Sequence, residues 1–471
     1  MIKFGTGGWR AIIGDDFIKE NIRKVAQGIA KFAKDDNKTE TPIIVGYDRR
    51  FLSKDAARWV TEVLCGNGFH VILSTMSTPT PYVMYYVQKH NLHYGIEITA
   101  SHNPSEYNGI KLIVDEGRDA PVEVTGKIEH IIEEITEINS IPYDDLKNNK
   151  ELLIEKTYFN EYIDNILNNI DKDVIKKREM RILFNPMYGS GIHPLSVLLS
   201  ETRCTVDIVN QNIDAYFGGK CPAPNEKTLN RFSSMVVEGE YDLGIAIDGD
   251  GDRLGIIDSD GSYINANEIL CILYYYLHEY KHWKGPVVRN VATTHMLDKM
   301  AKDFGESCYE VPVGFKHISS GITKHNAILG GESSGGLTVR GHINGKDAIY
   351  ATMLFIEALC NIGITTKEVV KMFEKKYGKH IFVEDNLKFK EEQKEKYQDM
   401  MFNKKLLPEF ENIKEVCYLD GCKVYFEDGS FVICRFSGTE PLLRIFAEAK
   451  DEITAKKYIE AFENLLNRGK I

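Results

Sequence analysis

Short β-rich apolar runs alternate with stretches of helical apolar spacing along most of this 471-residue chain. Residues 43–46 read as a strand. Residues 54–67 carry Ala57, Val60, Val63 and Leu64 at the three-and-four spacing of one helix face and end near Gly66 and Gly68. Residues 71–74 predict the next strand, 81–90 a helix and 94–99 a further strand. This β-α-β-α-β order is that of a mostly parallel sheet with covering helices. The rhythm restarts at residues 181–184, 206–209 and 242–247, and again at 286–290, 297–304 (helical) and 308–311. These restarts hint at three α/β domains of similar build.

The C-terminal part breaks the pattern. After Tyr377 a Lys/Glu-rich stretch precedes two strand runs, 423–426 and 431–434, joined by Asp428-Gly429, a strong hairpin signal. This end reads as a smaller α+β domain. Polar stretches at 144–150, 258–261 and 375–379 are candidate linkers, dividing the chain into domains 1–150, 151–258, 259–375 and 376–471. The length agrees, since it exceeds one hydrophobic core and predicts about three or four domains.

Charge and cysteine usage narrow the class. A net charge of -11 argues against general nucleic-acid binding and against a polybasic membrane patch, but leaves room for a local basic pocket and an anionic substrate. The nine cysteines are scattered, with no CxxC pattern, as expected of reduced thiols in a cytoplasmic protein. The N-terminal residues show no apolar signal region. The most apolar run, 351–364, carries Glu357 and Asn361 and reads as a core helix.

Four polar, glycine-rich loops fall at strand ends, where open α/β sheets place ligands. TASHNP, residues 99–104, holds Ser101 as a candidate nucleophile, although no GxSxG elbow is present; a simple turn with a surface His102 is the plainer alternative. DGDGDR, residues 248–253, sets Asp248, Asp250 and Asp252 at alternate positions. Three close carboxylates call for a cation, and all-oxygen ligands suit a hard one. A calcium EF-hand needs Gly at Arg253 and Glu at Ser259, so that reading fails; magnesium, which keeps open positions for water or a phosphate oxygen, suits the loop, and an acidic surface hairpin is the plainer alternative. GESSGG, residues 331–336, offers Glu332 and Ser334 to sugar hydroxyls in a loop with little bulk. RFSGTEP, residues 435–441, with Arg444 beyond, combines Ser437, Gly438 and Thr439 in an anion nest with two guanidinium forks suited to phosphate.

Together with FGTGGWR (residues 4–10) and the continuation TASHNPSEYNGIKL (99–112), these loops resemble, in order and over the whole chain, the α-D-phosphohexomutase family of phosphoglucomutases and phosphomannomutases. The resemblance implies three similar mixed-sheet α/β domains plus a smaller C-terminal α+β domain around a central cleft. It implies interconversion of hexose 1-phosphate and hexose 6-phosphate through a phosphoserine at Ser101 and a sugar 1,6-bisphosphate, with glucose 1,6-bisphosphate as activator or intermediate. Mg2+ is then held by Asp248, Asp250, Asp252 and a phosphoserine oxygen. Arg10, Lys111 and Arg253 match reaction-centre positions, and Glu332 and Ser334 match sugar contacts. Arg435, Ser437, Gly438, Thr439 and Arg444 match the grip on the non-reacting phosphate. Lys316, in a Gly-Phe-Lys run similar to one in phosphoglucomutases, matches a substrate contact.

Small-molecule hexose phosphates are the expected partners of a monomer or homodimer. Some phosphomannomutase-type members read GEMSGH and the glucosamine branch GEQSGH, whereas Gly336 stands here in place of the histidine. Phosphoglucomutase is the leading expectation; phosphomannomutase, phosphoglucosamine mutase, a non-catalytic sugar-phosphate binder and a magnesium-dependent phosphatase remain alternatives. Lys111 is either a proton acceptor, if burial and neighbouring cations lower its pKa, or a structural ion-pair partner.

Overall fold

The computed structural model describes residues 2–5, 7–437 and 442–468. The chain falls into two compact units, Met1–Ile269 with Ser334–Thr366, and Leu270–Ser333 with Lys367–Ile471.

The first unit contains two sheets. In the first, the strands lie in the order Phe4–Gly5, Gly8–Ile12, Tyr107–Val114, Tyr94–Ile98, Ile43–Tyr47, Val71–Leu73 and Leu153–Glu155. The pairs among Tyr94–Ile98, Ile43–Tyr47, Val71–Leu73 and Leu153–Glu155 are parallel, and the remaining ones are antiparallel. The sheet is therefore mixed rather than mostly parallel, and chain length explains why. A parallel return needs a crossover of about a dozen residues or more. Residues 99–106 are too few, so the chain leaving Tyr94–Ile98 turns straight back as Tyr107–Val114. Ile43–Tyr47 and Tyr94–Ile98 are buried at every position, as central strands covered on both faces are. The helices Lys19–Asp35 and Ser53–Gly66 supply Ile22, Val25, Ile29, Val60 and Leu64 to one core with Ile43, Val45, Ile96 and Ile98.

The second sheet repeats the device. Thr205–Ile208, Arg181–Asn185 and Leu243–Ile247 are parallel neighbours. Leu243–Ile247 then returns antiparallel as Leu254–Asp258, and residues 248–253 form the tip. Residues 258–261, read above as a linker, instead turn the chain into Tyr263–Ile264, which pairs back on Leu254–Asp258. Helix Ala348–Ile362 in this unit is buried from Ala348 to Leu359, as the apolar run predicts. Asp347 caps it by accepting from the Ile349 and Tyr350 amides, and Gly363 at φ +81° ends it. No single described helix is long and apolar enough to cross a membrane.

In the second unit, Cys308–Val311, Val287–Asn290 and Leu329–Gly331 are parallel. A five-stranded antiparallel sheet follows, in the order Ile381–Lys388, Leu442–Ala449, Phe431–Phe436, Cys422–Phe426 and Ile413–Cys417. Helix Glu452–Arg468 packs Ala455, Ile459, Phe462 and Leu466 against it. The hairpin at Asp428-Gly429 forms as expected, while Ile381–Lys388 lies inside what reads in sequence as charged coil.

A buried ion network joins these two sheets. The Glu310 carboxylate accepts from Arg289, from Lys423 at 2.7 Å and from the Tyr425 hydroxyl, and Lys423 lies 3.0 Å from His295 Nε2. Burial opposes its charge, but Arg289 and Lys423 prevail and hold Glu310 down at about 2. On the same pair Lys423 is pushed down to about 8, because burial and Arg289 outweigh its one carboxylate. The asymmetry arises because Glu310 faces two cations, whereas Lys423 faces one carboxylate and the guanidinium of Arg289, which pairs with Asp298 as well at 2.7 Å. Removing Glu310 leaves the buried Lys423 ammonium without a carboxylate partner among the described residues, so Glu310→Ala is expected to cost about 3–5 kcal/mol in a thermal or denaturant melt. A depressed carboxyl contributes stability above its unfolded pKa, so the loss in wild type develops as pH falls from about 4.3 toward 2. An unchanged melt for Glu310→Ala contradicts this account.

Candidate active site

Ser101 sits in the short return between Tyr94–Ile98 and Tyr107–Val114, at φ +52° and nearly fully buried. A left-handed conformation costs a non-glycine residue about 1–2 kcal/mol, so something must hold it. Thr99 Oγ1 accepts the Ser101 amide at 2.8 Å. The Arg50 guanidinium donates to four carbonyls of the loop: Ser101 (2.6 Å), Asn103 (2.6 Å), Pro104 (2.7 Å) and Tyr107 (3.0 Å). Asp48 pairs with Arg50 at 3.3 Å and accepts from Ser53 and Thr99. The hydroxyl of Ser101 lies 3.4 Å from Asp248 Oδ2 and 3.3 Å from His102 Nδ1. Burial and the charges of Arg253, Arg10 and Lys346 push the His102 pKa well below its usual value, so its ring is neutral. This is not the surface histidine of the plainer alternative.

Asp248, Asp250 and Asp252 are buried and each presents an oxygen within 4.8 Å of the others. Asp248 Oδ1 accepts the amides of Asp252 (2.8 Å) and Arg253 (3.0 Å), which folds the loop around it. Thr80 donates to Asp250 Oδ2 at 2.7 Å. Lys111 lies 3.2 Å from Asp250 and 3.3 Å from Asp252, and Lys346 lies 2.9 Å from Asp252. Burial works against the Lys111 charge, but Asp250 and Asp252 outweigh it and raise its pKa, so Lys111 is a charged ion-pair partner. Arg253 Nε stands 3.8 Å from Asp252. Arg10 donates to Asn103 Oδ1 at 2.5 Å, and burial lowers its pKa against the pull of Asp250.

Gly336 has a specific steric reason. A Cβ there would stand 2.1 Å from Lys346 Cδ. The histidine of the GEMSGH and GEQSGH loops is therefore incompatible with the path Lys346 takes to Asp252.

Of the sequence-predicted residues, the first unit brings together Ser101, Arg10, Lys111, Arg253 and the three aspartates. Ser334 belongs to the same unit and is exposed. Lys316, Glu332, Arg435, Ser437 and Arg444 belong to the second unit. There Glu332 Oε1 accepts from Asn290 and from the Gly314 amide, both at 2.9 Å, which ties the sugar-loop candidate to the turn leading into the helix that carries Lys316. Arg435 and Arg444 are direct partners across two antiparallel strands. Like charges so placed repel. Asp420 at 3.3 Å from Arg435 and Glu384 at 3.5 Å from Arg444 offset part of this, and the buried Arg435 Nε has no hydrogen-bond partner among the described residues. An anion between the two forks suits that pair. Gly438 and Thr439 lie outside the described residues.

Family models for phosphoglucomutase/phosphomannomutase match in sequence: alpha/beta/alpha domain I at residues 1–139, domain II at 160–261, domain III at 265–377 and the C-terminal domain at 384–465. A phosphoglucomutase/phosphomannomutase of Thermococcus kodakarensis is 30% identical over 469 residues, covering 99% of this chain and 98% of its own. This chain belongs to the α-D-phosphohexomutase superfamily. A probable phosphoglucosamine mutase of Methanosphaera stadtmanae is 28% identical, covering 98% of this chain and 97% of its own. The crystal structure of a putative phosphomannomutase from Thermus thermophilus superposes with a TM-score of 0.85 at 25% identity, covering 99% of each chain.

The fit of this phosphohexomutase to Mg2+ rests on unspent ligand capacity. Asp250 Oδ1 and Asp252 Oδ1 are buried and lack a hydrogen-bond partner among the described residues. Buried carboxylate oxygens without partners are costly unless a cation takes them. With the Asp248 carboxylate these residues offer an all-oxygen, anionic donor set suited to a hard ion. Sequence reasoning missed Arg50, Thr80 and Lys346. Asp48-x-Arg50 follows a buried strand and was a usable signal; Thr80 and Lys346 reach the aspartates only through the fold.

Proposed function

We propose that this phosphohexomutase interconverts hexose 1-phosphate and hexose 6-phosphate by way of a phosphorylated Ser101, with glucose or mannose phosphate as substrate. The observation that carries the reading is the placement of the Ser101 hydroxyl 3.4 Å from Asp248, at the edge of the buried three-aspartate loop.

Asp248, Asp250 and Asp252 would hold Mg2+. When bound, that ion supplies charge neutralisation for the transferring phosphoryl group. Arg50 and Thr99 hold the serine loop so that Oγ keeps one position. The charges of Lys111, Arg10, Arg253 and Lys346 surround a phosphoserine carrying close to two negative charges and lower the repulsion an incoming hydroxyl meets. In the transfer, the sugar hydroxyl oxygen bonds to phosphorus, the Ser101 Oγ–P bond breaks, and the proton of the sugar hydroxyl ends on the freed Ser101 Oγ, restoring the neutral serine. The product is a sugar 1,6-bisphosphate. After it turns end over end, its other phosphate is returned to Ser101. The opposed Arg435 and Arg444, with Ser437, Gly438 and Thr439, bind the non-reacting phosphate, and Glu332, Ser334 and Lys316 contact the sugar. Lys346 acts as a fixed counter-charge, so Lys346→Met is expected to lower kcat about 10²-fold in a coupled mutase assay, with the fold retained by circular dichroism.

Preference for glucose phosphate is supported by the Gly-Phe-Lys run at residues 314–316, similar to one in phosphoglucomutases; Gly336 stands where mannose-type and glucosamine-type loops both carry histidine and does not separate those two. A second reading, an amino-sugar mutase, is favoured by the name carried by the Methanosphaera stadtmanae relative. A comparison of kcat/KM on glucose 1-phosphate, mannose 1-phosphate and glucosamine 1-phosphate decides between them. The first reading expects glucose or mannose phosphate to lead by at least tenfold; a lead for glucosamine 1-phosphate overturns it.

A further inference from the structure

Behind the aspartate loop, within the first unit, lies a cavity of about 490 Å3 that the reaction does not use. That volume is within the range of small-molecule sites, about 300–1,000 Å3. One wall is a face of helix Glu226–Glu238, presenting Thr228, Arg231, Phe232 and Met235 at three-and-four spacing. The opposite wall is made by the loop after strand Arg181–Asn185 and by the segment around Phe217. Lys220 and Arg231 line the cavity and no carboxylate does, in a chain whose net charge is -11. An electropositive recess against an acidic background attracts anions. The half-buried Tyr188 supplies flat apolar surface beside those cations, backed by the buried Phe217 and Phe232 in the wall.

The lining is also strained. Met187 (φ +48°), Tyr188 (φ +61°) and Phe217 (φ +52°) are bulky residues held in the left-handed region. Each costs about 1–2 kcal/mol, and such residues cluster at ligand clamps and switch regions. Two of the three sit one contact from the reaction centre. The ring of Phe217 lies under the Arg50 guanidinium at 4.9 Å, and Arg50 donates to the Ser101 carbonyl. Tyr188 precedes Gly189, which lies so close to the metal loop that a Cβ would stand 2.7 Å from the Gly249 carbonyl oxygen and 2.8 Å from that of Asp248. The Ser190 amide also donates to Gly249 at 3.0 Å.

We infer that this cavity is a second ligand site, for a small organic anion with a planar apolar body, and that its occupancy adjusts the serine and aspartate loops through Phe217–Arg50 and Tyr188–Gly189. The planar body lies against the aromatic rings while the anionic group meets Lys220 and Arg231. The site is separate from the hexose phosphate site, so its ligand acts as an effector and not as a substrate.

Calorimetry with three probes tests the site: 5′-AMP (ring and phosphate), adenosine (ring alone) and inorganic phosphate (anion alone). AMP is expected to bind at least tenfold tighter than either of the others, and equally well when glucose 1,6-bisphosphate is saturating. Lys220→Glu and Arg231→Glu, both at exposed positions and outside the reaction centre, are each expected to weaken AMP at least tenfold while leaving the melting temperature and basal turnover unchanged. In mutase assays, saturating AMP is expected to change kcat at least twofold in wild type and not in Arg231→Glu. Displacement of AMP by the bisphosphate, equal binding to the charge-reversed variants, no AMP binding, or an unchanged kcat each overturns the inference. The binding measurements stand whether or not the chain is a mutase.

Discussion

Ser101→Ala is expected to remove mutase turnover, lowering kcat by at least about 10⁴-fold, on the scale seen when a nucleophile is deleted. Binding of hexose phosphate, followed by calorimetry, should change by less than about threefold, because the contacts assigned to sugar and distal phosphate lie on other loops. The fold should survive as well. The loop is held through backbone atoms: the Ser101 amide on Thr99 and the carbonyls of Ser101, Asn103, Pro104 and Tyr107 on Arg50. Alanine keeps all of these and pays the same left-handed cost at φ +52°. Residual turnover within tenfold of wild type would show that the phosphoryl group travels by another route.

Asp248→Asn should separate activity from stability. Three carboxylates within 4.8 Å repel one another, and Asp248 is the one without a lysine partner among the described residues. Burial and the charges of Asp252 and Asp250 push its pKa well above the usual range. A group raised in this way opposes folding when ionised, so neutralising it helps. Asparagine keeps the oxygen that accepts the Asp252 and Arg253 amides. Without added metal, the variant is expected to gain about 1 kcal/mol, a rise in melting temperature of about 1–2 °C for a unit of this size. It should lose the further stabilisation that Mg2+ gives wild type, and kcat should fall about 10³-fold. A metal-free variant that melts lower than wild type contradicts the repulsion, and one that still responds fully to Mg2+ contradicts the ligand assignment.

The alternation of apolar runs carried most of the fold. The central strands are buried on both faces, so Ile43–Tyr47, Tyr94–Ile98 and Leu243–Ile247 stand out in any apolar pattern. What pattern alone did not carry was strand direction, and the misreading of the first sheet as mostly parallel came from treating every strand as one half of a crossover unit. Residues 99–106 and 248–253 are short returns, and the same brevity that reverses the chain places Ser101 and the aspartates at tight tips. Strand Ile381–Lys388 escaped notice because Glu384, Asp385 and Asn386 break its apolar alternation; its partner Leu442–Ala449 supplies the pairing.

The candidate site was legible where chemistry is local in sequence and illegible where it is assembled. Ser101 and Asp248, Asp250 and Asp252 announce themselves by spacing within one loop. Lys346 does not, since its link to Asp252 crosses 94 positions of sequence (346 less 252) and depends on Gly336 leaving room for its side chain. His102 is invisible as a half-buried, neutral ring until Arg10, Arg253 and Lys346 are placed around it.

The central claim is that Ser101 carries the phosphoryl group. Tandem mass spectrometry of protein incubated with Mg2+ and glucose 1,6-bisphosphate bearing 18O-labelled phosphate tests it most directly, with a second sample then exposed to excess unlabelled glucose 1-phosphate. The account predicts one labelled phosphate, on Ser101, whose label passes to the sugar in the second sample. Phosphate on another residue, or a Ser101 that stays unmodified while turnover proceeds, contradicts it.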